Sequence, residues 1–257
     1  MLKSKTALVT GSTSGIGWAV AQTLAEKGTD ILLHGLLDME AGNQLAKNLA
    51  QDHGIHCYFS NANVGNESSI EELFRNHNGD IDILVNNAGI QYTEVTENFP
   101  VDKWNDIIAI NLSAAFHTTR KALPQMQRKG WGRIINIASV HGLVASTKKA
   151  AYCAAKHGLV GLTKVVALEN ANKGITANAI CPGWVDTELI ASQIENLAKN
   201  NDMSIEEARK SLVSEKQPML DMTAPKSIAE LVIYLCSEHA KTITGSALTI
   251  DGAWSTQ

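Results

Sequence analysis

The sequence predicts an α/β protein: one domain over 1–257, built as a doubly wound sheet of seven parallel strands with helices on both faces. Three observations carry that expectation. Short apolar runs alternate with helix-forming segments along the whole chain, the pattern of parallel strands joined by crossover helices. The first such run breaks into a glycine-rich turn, TGSTSGIG at Thr10 to Gly17, and then a helix. No Pro/Gly/Ser-rich linker, repeat or low-complexity stretch divides the chain.

Composition bounds the function before any motif is read. Hydrophobic residues make up 44% and charged residues 19% of the 257, enough for a substantial core. A net charge of −4 gives no electrostatic reason to expect nucleic acid or an anionic membrane surface. The cysteines Cys57, Cys153, Cys181 and Cys236 lack metal-ligand spacing, so no metal site is expected. No apolar run approaches the roughly 20 residues that span a bilayer. The start, MLKSKTALVTG, enters a strand without a signal peptide. Together these point to a cytoplasmic protein with reduced thiols.

In order, Thr6 to Val9 suits a buried strand, and the helix that follows carries Ile16, Val20 and Leu24 at four-residue spacing. Strand, glycine turn and helix start together make an anion site, with backbone N–H groups and the helix dipole facing a diphosphate. Gly11, Gly15 and Gly17 permit the tight turn and close approach, the pattern of a Rossmann-type dinucleotide fold. Asp30 to Leu33 reads as the second strand, ending in His34-Gly35-Leu36-Leu37-Asp38, where such folds meet the adenosine ribose. No Arg or Lys stands here or in the glycine loop to receive a 2′-phosphate, and Leu36 and Leu37 are poor hosts for one. NAD is therefore expected rather than NADP.

Ile55 to Phe59 is the third strand, leading to Asn61-Ala62-Asn63-Val64, and Ile81 to Val85 the fourth, ending in Asn86-Asn87-Ala88-Gly89. That last tetrapeptide either serves a ligand or is an ordinary turn. Pro100 to Gln127 reads as one long helix whose apolar face, with Trp104, Ile107, Ile108, Leu112 and Ala115, is interrupted by Asn111. A buried asparagine there either ties down backbone or holds a water. Arg133 to Ala138 is the fifth strand and delivers Ser139; Lys149 to Asn170 is a helix. Ile175 to Ile180 is the sixth strand, followed by CPGWVDTEL. The polar helical excursion over 188–222 is either a lid over the strand ends or a solvated hairpin. Ala247 to Ile250 closes the sheet before Asp251-Gly252-Ala253-Trp254.

The chemistry centres on Ser139 to Lys156. Tyr152 and Lys156 stand one helical turn apart on one face. A lysine cation favours the phenolate and so draws tyrosine, which ordinarily ionises near ~10, toward acid–base work nearer neutral pH. Ser139 is placed to hold a reacting carbonyl or hydroxyl. Alone, this spacing is a weak signal.

With TGSTSGIG, NNAG, Asn111, Ser139, Tyr152-x-x-x-Lys156 and Pro182-Gly183 in register, the chain resembles the classical short-chain dehydrogenases/reductases over essentially its full length. The resemblance implies Tyr152 as general acid/base and Ser139 as the residue that orients the substrate oxygen. It implies Lys156 on the nicotinamide ribose, lowering the tyrosine's proton affinity, and Asn111 holding a water of the proton relay. It implies a dinucleotide running from Gly11, Thr13, Gly15, Ile16 and Gly17, past Leu36, Asn63 and Val64, to Asn87, Ala88 and Gly89. The nicotinamide end then meets Tyr152, Lys156, Pro182, Gly183 and Val185, with Thr187 on the carboxamide. Asn63 departs from the aspartate of many relatives, so weaker adenine anchoring is expected.

The segments NNAGIQ, INIASVHGLVAS, AAKHGLVGLTKV, TANAICPGWVDT and SEKQP are similar to members of the family that act on short 3-hydroxy acids. That likeness implies a carboxylate clamp of Gln91, His141, Lys149 and Gln193, with Trp184 and Trp254 bordering the pocket. It further implies reversible NAD-dependent oxidation of (R)-3-hydroxybutyrate to acetoacetate by a homotetramer. Two other readings remain: a 3-oxoacyl thioester reductase, which the missing 2′-phosphate partners oppose, and a non-catalytic dinucleotide sensor, which intact Ser139, Tyr152 and Lys156 oppose.

Overall fold

Strands that read as nearly continuous apolar runs are buried on both faces, as a parallel sheet between two helix layers requires. The computed structural model describes residues 2–77 and 79–256. Among these, β1 (Thr6–Val9), β2 (Asp30–His34), β3 (Cys57–Ser60), β4 (Ile83–Asn86), β5 (Gly132–Ile137), β6 (Ile175–Pro182) and β7 (Ala247–Ile250) form one parallel sheet. Their order is β3-β2-β1-β4-β5-β6-β7. The direction of winding reverses between β1 and β4, which opens a crevice at the carboxyl ends of those two strands.

The intervening segments form α1 (Gly15–Glu26), α2 (Met39–His53), α3 (Glu67–Asn76), α4 (Val101–Ile108), α5 (Ala114–Lys129), α6 (Ala150–Asn170), α7 (Glu188–Asn201), α8 (Ile205–Ser214) and α9 (Pro225–Cys236). Side chains alternate across each strand, so β1 feeds two cores. Ala7 and Val9 pack with Val20 and Leu24 of α1 and Ile228 and Val232 of α9. Leu8 packs on the opposite face with Leu73 of α3, Met126 of α5 and Val166 of α6. Polar residues interrupt this second layer where β4 and β5 pair. Asn86 and Asn136 stand opposite each other on β4 and β5, the Asn86 Nδ2 donating to Asn136 Oδ1 at 2.8 Å. Thr118 of α5 donates to Asn86 Oδ1 at 2.6 Å, and Asn136 donates to Thr163 of α6 at 2.8 Å.

Strand limits shift by one to two residues from the sequence expectation, and β6 runs on to Pro182. The helix expected over 100–127 is not continuous. It breaks into α4, a π turn at Ala109–Ser113, and α5. The cause is tertiary: Ile90 N–H donates to Asn111 Oδ1, and Asn111 Nδ2 donates to Ile90 O, both at 2.9 Å. A π turn holds one residue more than an α turn, and here it sets that amide against the loop after β4. Over 188–222, α7 and α8 form a helical pair with a small core of Ile194, Ala198 and Ala208. Arg209 ties the pair to Asp186 at 3.0 Å. Helix α9, which the sequence does not single out, packs on α1. Among the described residues the four cysteines are unpaired, and no helix is long and apolar enough to cross a membrane.

Candidate active site

A cleft of about 790 Å³ opens along the carboxyl ends of the strands, within the size range of small-molecule and cofactor sites. Its floor is the glycine loop. Gly11 and Gly15 take positive φ, +62° and +53°, and a Cβ on Gly11 would stand 3.0 Å from Ala88 Cα. Only glycine meets both demands. The loop is cross-tied to the end of β4: the N–H groups of Asn87 and Ala88 both donate to Thr10 Oγ1 at 3.0 Å. Asn87 Nδ2 donates to the carbonyls of Thr10 and Gly11 at 3.0 and 2.9 Å. Thr13, Gly15, Ile16, Leu36, Asn63, Val64, Asn87, Ala88 and Gly89 all line the cleft, as do Pro182, Gly183, Val185 and Thr187. Gly17 does not reach the wall. A side chain there would overlap the Gly11 carbonyl oxygen, so it serves the packing of α1 under the loop.

The expected catalytic side chains meet in the middle of the cleft. Ser139, Tyr152 and Lys156 line it, delivered by the end of β5 and the first turns of α6. Lys156 Nζ donates to Ile137 O at 2.8 Å and lies 5.6 Å from the centre of the Tyr152 ring. Asn111 lies behind them, on a cavity of about 10 Å³ that Lys156 also borders. Of the two roles open to this asparagine, tying down backbone is the one its hydrogen bonds to Ile90 fulfil.

The electrostatics correct one expectation. Lys156 does not draw the Tyr152 phenol down in this structure. Burial pushes the phenol's pKa up, and a hydrogen bond with Ser139 opposes it. Burial also pulls the Lys156 ammonium down to about 8. Spacing on a helix suggests a charge interaction, but desolvation by burial is the leading cause of the shift in both groups.

Of the four residues expected to form a clamp, two line the cleft, and Lys149 and His141 stand beside it. Gln91 and Gln193 line the cleft, and Lys149 Nζ stands 3.4 Å from Gln91 Oε1. His141, Trp184 and Trp254 form a stack beside Tyr152. The His141 ring lies 5.9 Å from Tyr152 and 5.3 Å from Trp254, and Trp254 lies 5.7 Å from Trp184. The His141 Nε2 pairs with Ser146 Oγ at 2.9 Å. Burial first, then the nearby cations Lys149, His157 and Lys216, push its pKa down to about 4. His141 is therefore a neutral partner, and Lys149 is the cation of the set. Burial lowers the Lys149 pKa in turn, with Cys153 and Glu215 acting against it. Buried Gln217 holds this region together. Its Oε1 accepts from Trp184 N–H at 3.3 Å, and its Nε2 donates to Met219 O and Asp221 O at 2.7 and 2.9 Å. The sequence alone assigns no role to Thr10, Ser146 or Gln217; the only signal is that each lies within TGSTSGIG, INIASVHGLVAS or SEKQP.

The family described as enoyl-(acyl carrier protein) reductase, a branch of the short-chain dehydrogenases/reductases, matches residues 11–255. The chain belongs to the short-chain dehydrogenase/reductase family. It is an oxidoreductase of that family, which uses nicotinamide dinucleotides. It is 49% identical to the D-beta-hydroxybutyrate dehydrogenase of Cupriavidus necator, covering 100% of both chains. It is 45% identical to the protein of the same name from Rhizobium meliloti, covering 99% of this chain and 100% of that one. Among solved structures it is similar to the L-sorbose reductase of Gluconobacter frateurii in complex with NADPH and L-sorbose. That likeness has a TM-score of 0.94 at 28% identity, covering 100% of this chain and 98% of that one. The short-chain dehydrogenase/reductase fold thus accounts for both the sheet order and the place of the cleft.

Proposed function

We propose that the protein reversibly oxidises (R)-3-hydroxybutyrate to acetoacetate with NAD⁺. The observation that carries this reading is the convergence on Tyr152. Ser139 and Lys156 line the cleft with it, the Gln91–Lys149 pair offers amide and cation for a carboxylate, and the His141–Trp254–Trp184 ring cluster packs beside it. The two relatives named D-beta-hydroxybutyrate dehydrogenase support the same substrate.

The residues present fit a dinucleotide. The positive-φ glycines leave room that any Cβ would fill, and the start of α1 turns its N–H groups and dipole toward a diphosphate. A bound nicotinamide would supply the acceptor for the hydride of the carbinol carbon. Tyr152 takes the hydroxyl proton, and the Ser139 hydroxyl donates to the same substrate oxygen and holds it in line. Lys156 supplies positive charge behind the phenol, and Lys149 with Gln91 and Gln193 binds the carboxylate. At the far end of the cleft stands Leu36, and among the described residues no Arg or Lys lines that end to pair with a 2′-phosphate. NAD is therefore preferred over NADP. A 3-oxoacyl thioester reductase using NADPH is the alternative that the family description and the NADPH-bound neighbour keep open.

Following NADH absorbance with (R)-3-hydroxybutyrate and either NAD⁺ or NADP⁺ tests the reading. We expect robust oxidation, with kcat/KM clearly higher for NAD⁺. Equal efficiency with the two cofactors, or turnover confined to thioesters, points to the reductase instead. The same reading makes the protein a cytoplasmic homotetramer. Exposed Phe116 on α5 and Val165 and Leu168 on α6 support subunit contact there, and light scattering is the measurement.

A further inference from the structure

His34 ends β2 beneath the glycine loop and is only 2% exposed. Both ring nitrogens meet backbone groups of fixed polarity. Gly11 N–H donates to Nδ1 at 3.0 Å, and Nε2 lies 2.7 Å from the Ala62 carbonyl oxygen. An amide N–H only donates and a carbonyl only accepts, so a single state satisfies both: a neutral ring with its hydrogen on Nε2. The backbone of the same residue holds the next loop position. Ser12 N–H donates to His34 O at 2.7 Å, and His34 N–H donates to Ser12 Oγ at 2.9 Å. One residue thereby links the exits of β1, β2 and β3 around the floor of the cleft.

We propose that neutral His34 is the positioning residue that sets the glycine loop for the dinucleotide, and that its protonation releases Gly11 and weakens dinucleotide binding below neutral pH. A proton on Nδ1 would set N–H against N–H across the Gly11 contact, so the loop must move or the proton must leave. Among the described residues the surroundings offer no alternative partner for the charge. The ring nitrogens meet Gly11 of the glycine loop and Ala62 after β3, and the backbone of His34 meets Ser12 and Ser60, none of them ionisable in this range. At the two ends of β2, Asp30 is bound to His56 N–H and Asp38 caps Ala41 N–H, both at 2.8 Å. Burial holds the ring's pKa below the ordinary histidine value, against the raising effect of the Ala62 bond. No charged group among the described residues contributes to that shift.

The sign follows from linkage. A group kept neutral in the competent state contributes fully above the ordinary histidine value near ~6.5, and its contribution is lost as pH falls toward the lowered one. Dinucleotide binding should weaken by up to about tenfold for each pH unit below the ring's own pKa. The inference rests on the reading that the cleft holds a nicotinamide dinucleotide.

The test is NADH binding by fluorescence titration between pH 8 and pH 5, on wild type and His34→Asn. The asparagine Oδ1 replaces Nδ1 as an acceptor for Gly11 but does not titrate. Wild-type affinity should be level near pH 8 and fall, by up to about tenfold per pH unit, once the pH drops below the ring's lowered pKa, while His34→Asn should stay within about threefold of its own value at pH 8. Ring ¹⁵N shifts of the wild type need no variant and should report the Nε2–H tautomer at pH 8, titrating in step with the binding constant. A wild-type affinity that holds across the range, an equal fall in His34→Asn, or the Nδ1–H tautomer would each overturn the role of His34 alone. No NADH binding by the wild type at pH 8 would overturn the dinucleotide reading as well.

Discussion

Tyr152→Phe should cut turnover by at least about 10²–10⁴-fold, the contribution of a positioned general acid–base group, while NADH affinity stays within a few-fold of wild type. The ring that packs at 5.9 Å from His141 is kept, so the change removes one oxygen from the centre of the cleft. The pH profile separates this from a packing effect. Burial raises the phenol's pKa, so the phenolate that accepts the substrate proton becomes more abundant as pH climbs through the neutral range. Oxidation by wild type should rise over that range, and the slope should vanish in the phenylalanine variant. Steady-state rates at several pH values and a direct NADH titration provide the check. Turnover within tenfold of wild type would remove Tyr152 from the chemistry.

The second large effect is expected at the carboxylate. With His141 neutral, Lys149 is the cation of the clamp, and Lys149→Ala deletes a charge-assisted bond worth about 1.5–3 kcal/mol. That corresponds to roughly 10- to 150-fold in kcat/KM for (R)-3-hydroxybutyrate. The neutral methyl ester should be a poor substrate for wild type and should hardly notice the substitution. Gln193→Ala should follow the same pattern with a smaller loss. Clamp, Ser139–Tyr152 pair and tryptophan wall fix three directions around the carbinol carbon, so the (S) enantiomer should be used very poorly. Because burial lowers the Lys149 pKa, KM for the acid should rise at alkaline pH as this charge is lost. An ester used as readily as the acid, or no loss in Lys149→Ala, would leave a dehydrogenase of another substrate.

Much of the fold is legible in the sequence because parallel strands, glycine turns and helix faces are written locally. The TGSTSGIG loop and the Tyr152/Lys156 spacing need only neighbouring residues to be read. What escapes is set across distance. The π turn at Asn111 answers to Ile90, 21 residues away, and His34 answers to Gly11 and Ala62 at separations of 23 and 28. Helix propensity over 100–127 reveals neither partner. The direction of the Tyr152 pKa shift escapes for a related reason. Sequence spacing shows which charges are close, but burial comes from the whole enclosing fold. Gly17 stands in the loop motif, yet its role is to let α1 lie against Gly11.

The asparagine pair between β4 and β5 has a consequence for alignment. Apart from Arg133 and the two asparagines the strands are apolar on both faces, and sliding one past the other by two residues would keep every side chain on its own side of the sheet. Hydrophobic patterning barely opposes such a slip. The amides do, because moving Asn86 away from Asn136 and Thr118, or Asn136 away from Thr163, would strand buried donors and acceptors at about 1–3 kcal/mol each. The slip matters because β4 runs directly into Asn87 and Gly89, while β5, anchored at its start by buried Arg133, delivers Ser139. Two residues of travel equal about 6.6 Å along a strand, which would carry the serine hydroxyl out of reach of anything seated on the glycine loop. The amide pair thus acts as a keyway, holding two separately encoded halves of one reaction site at matching heights.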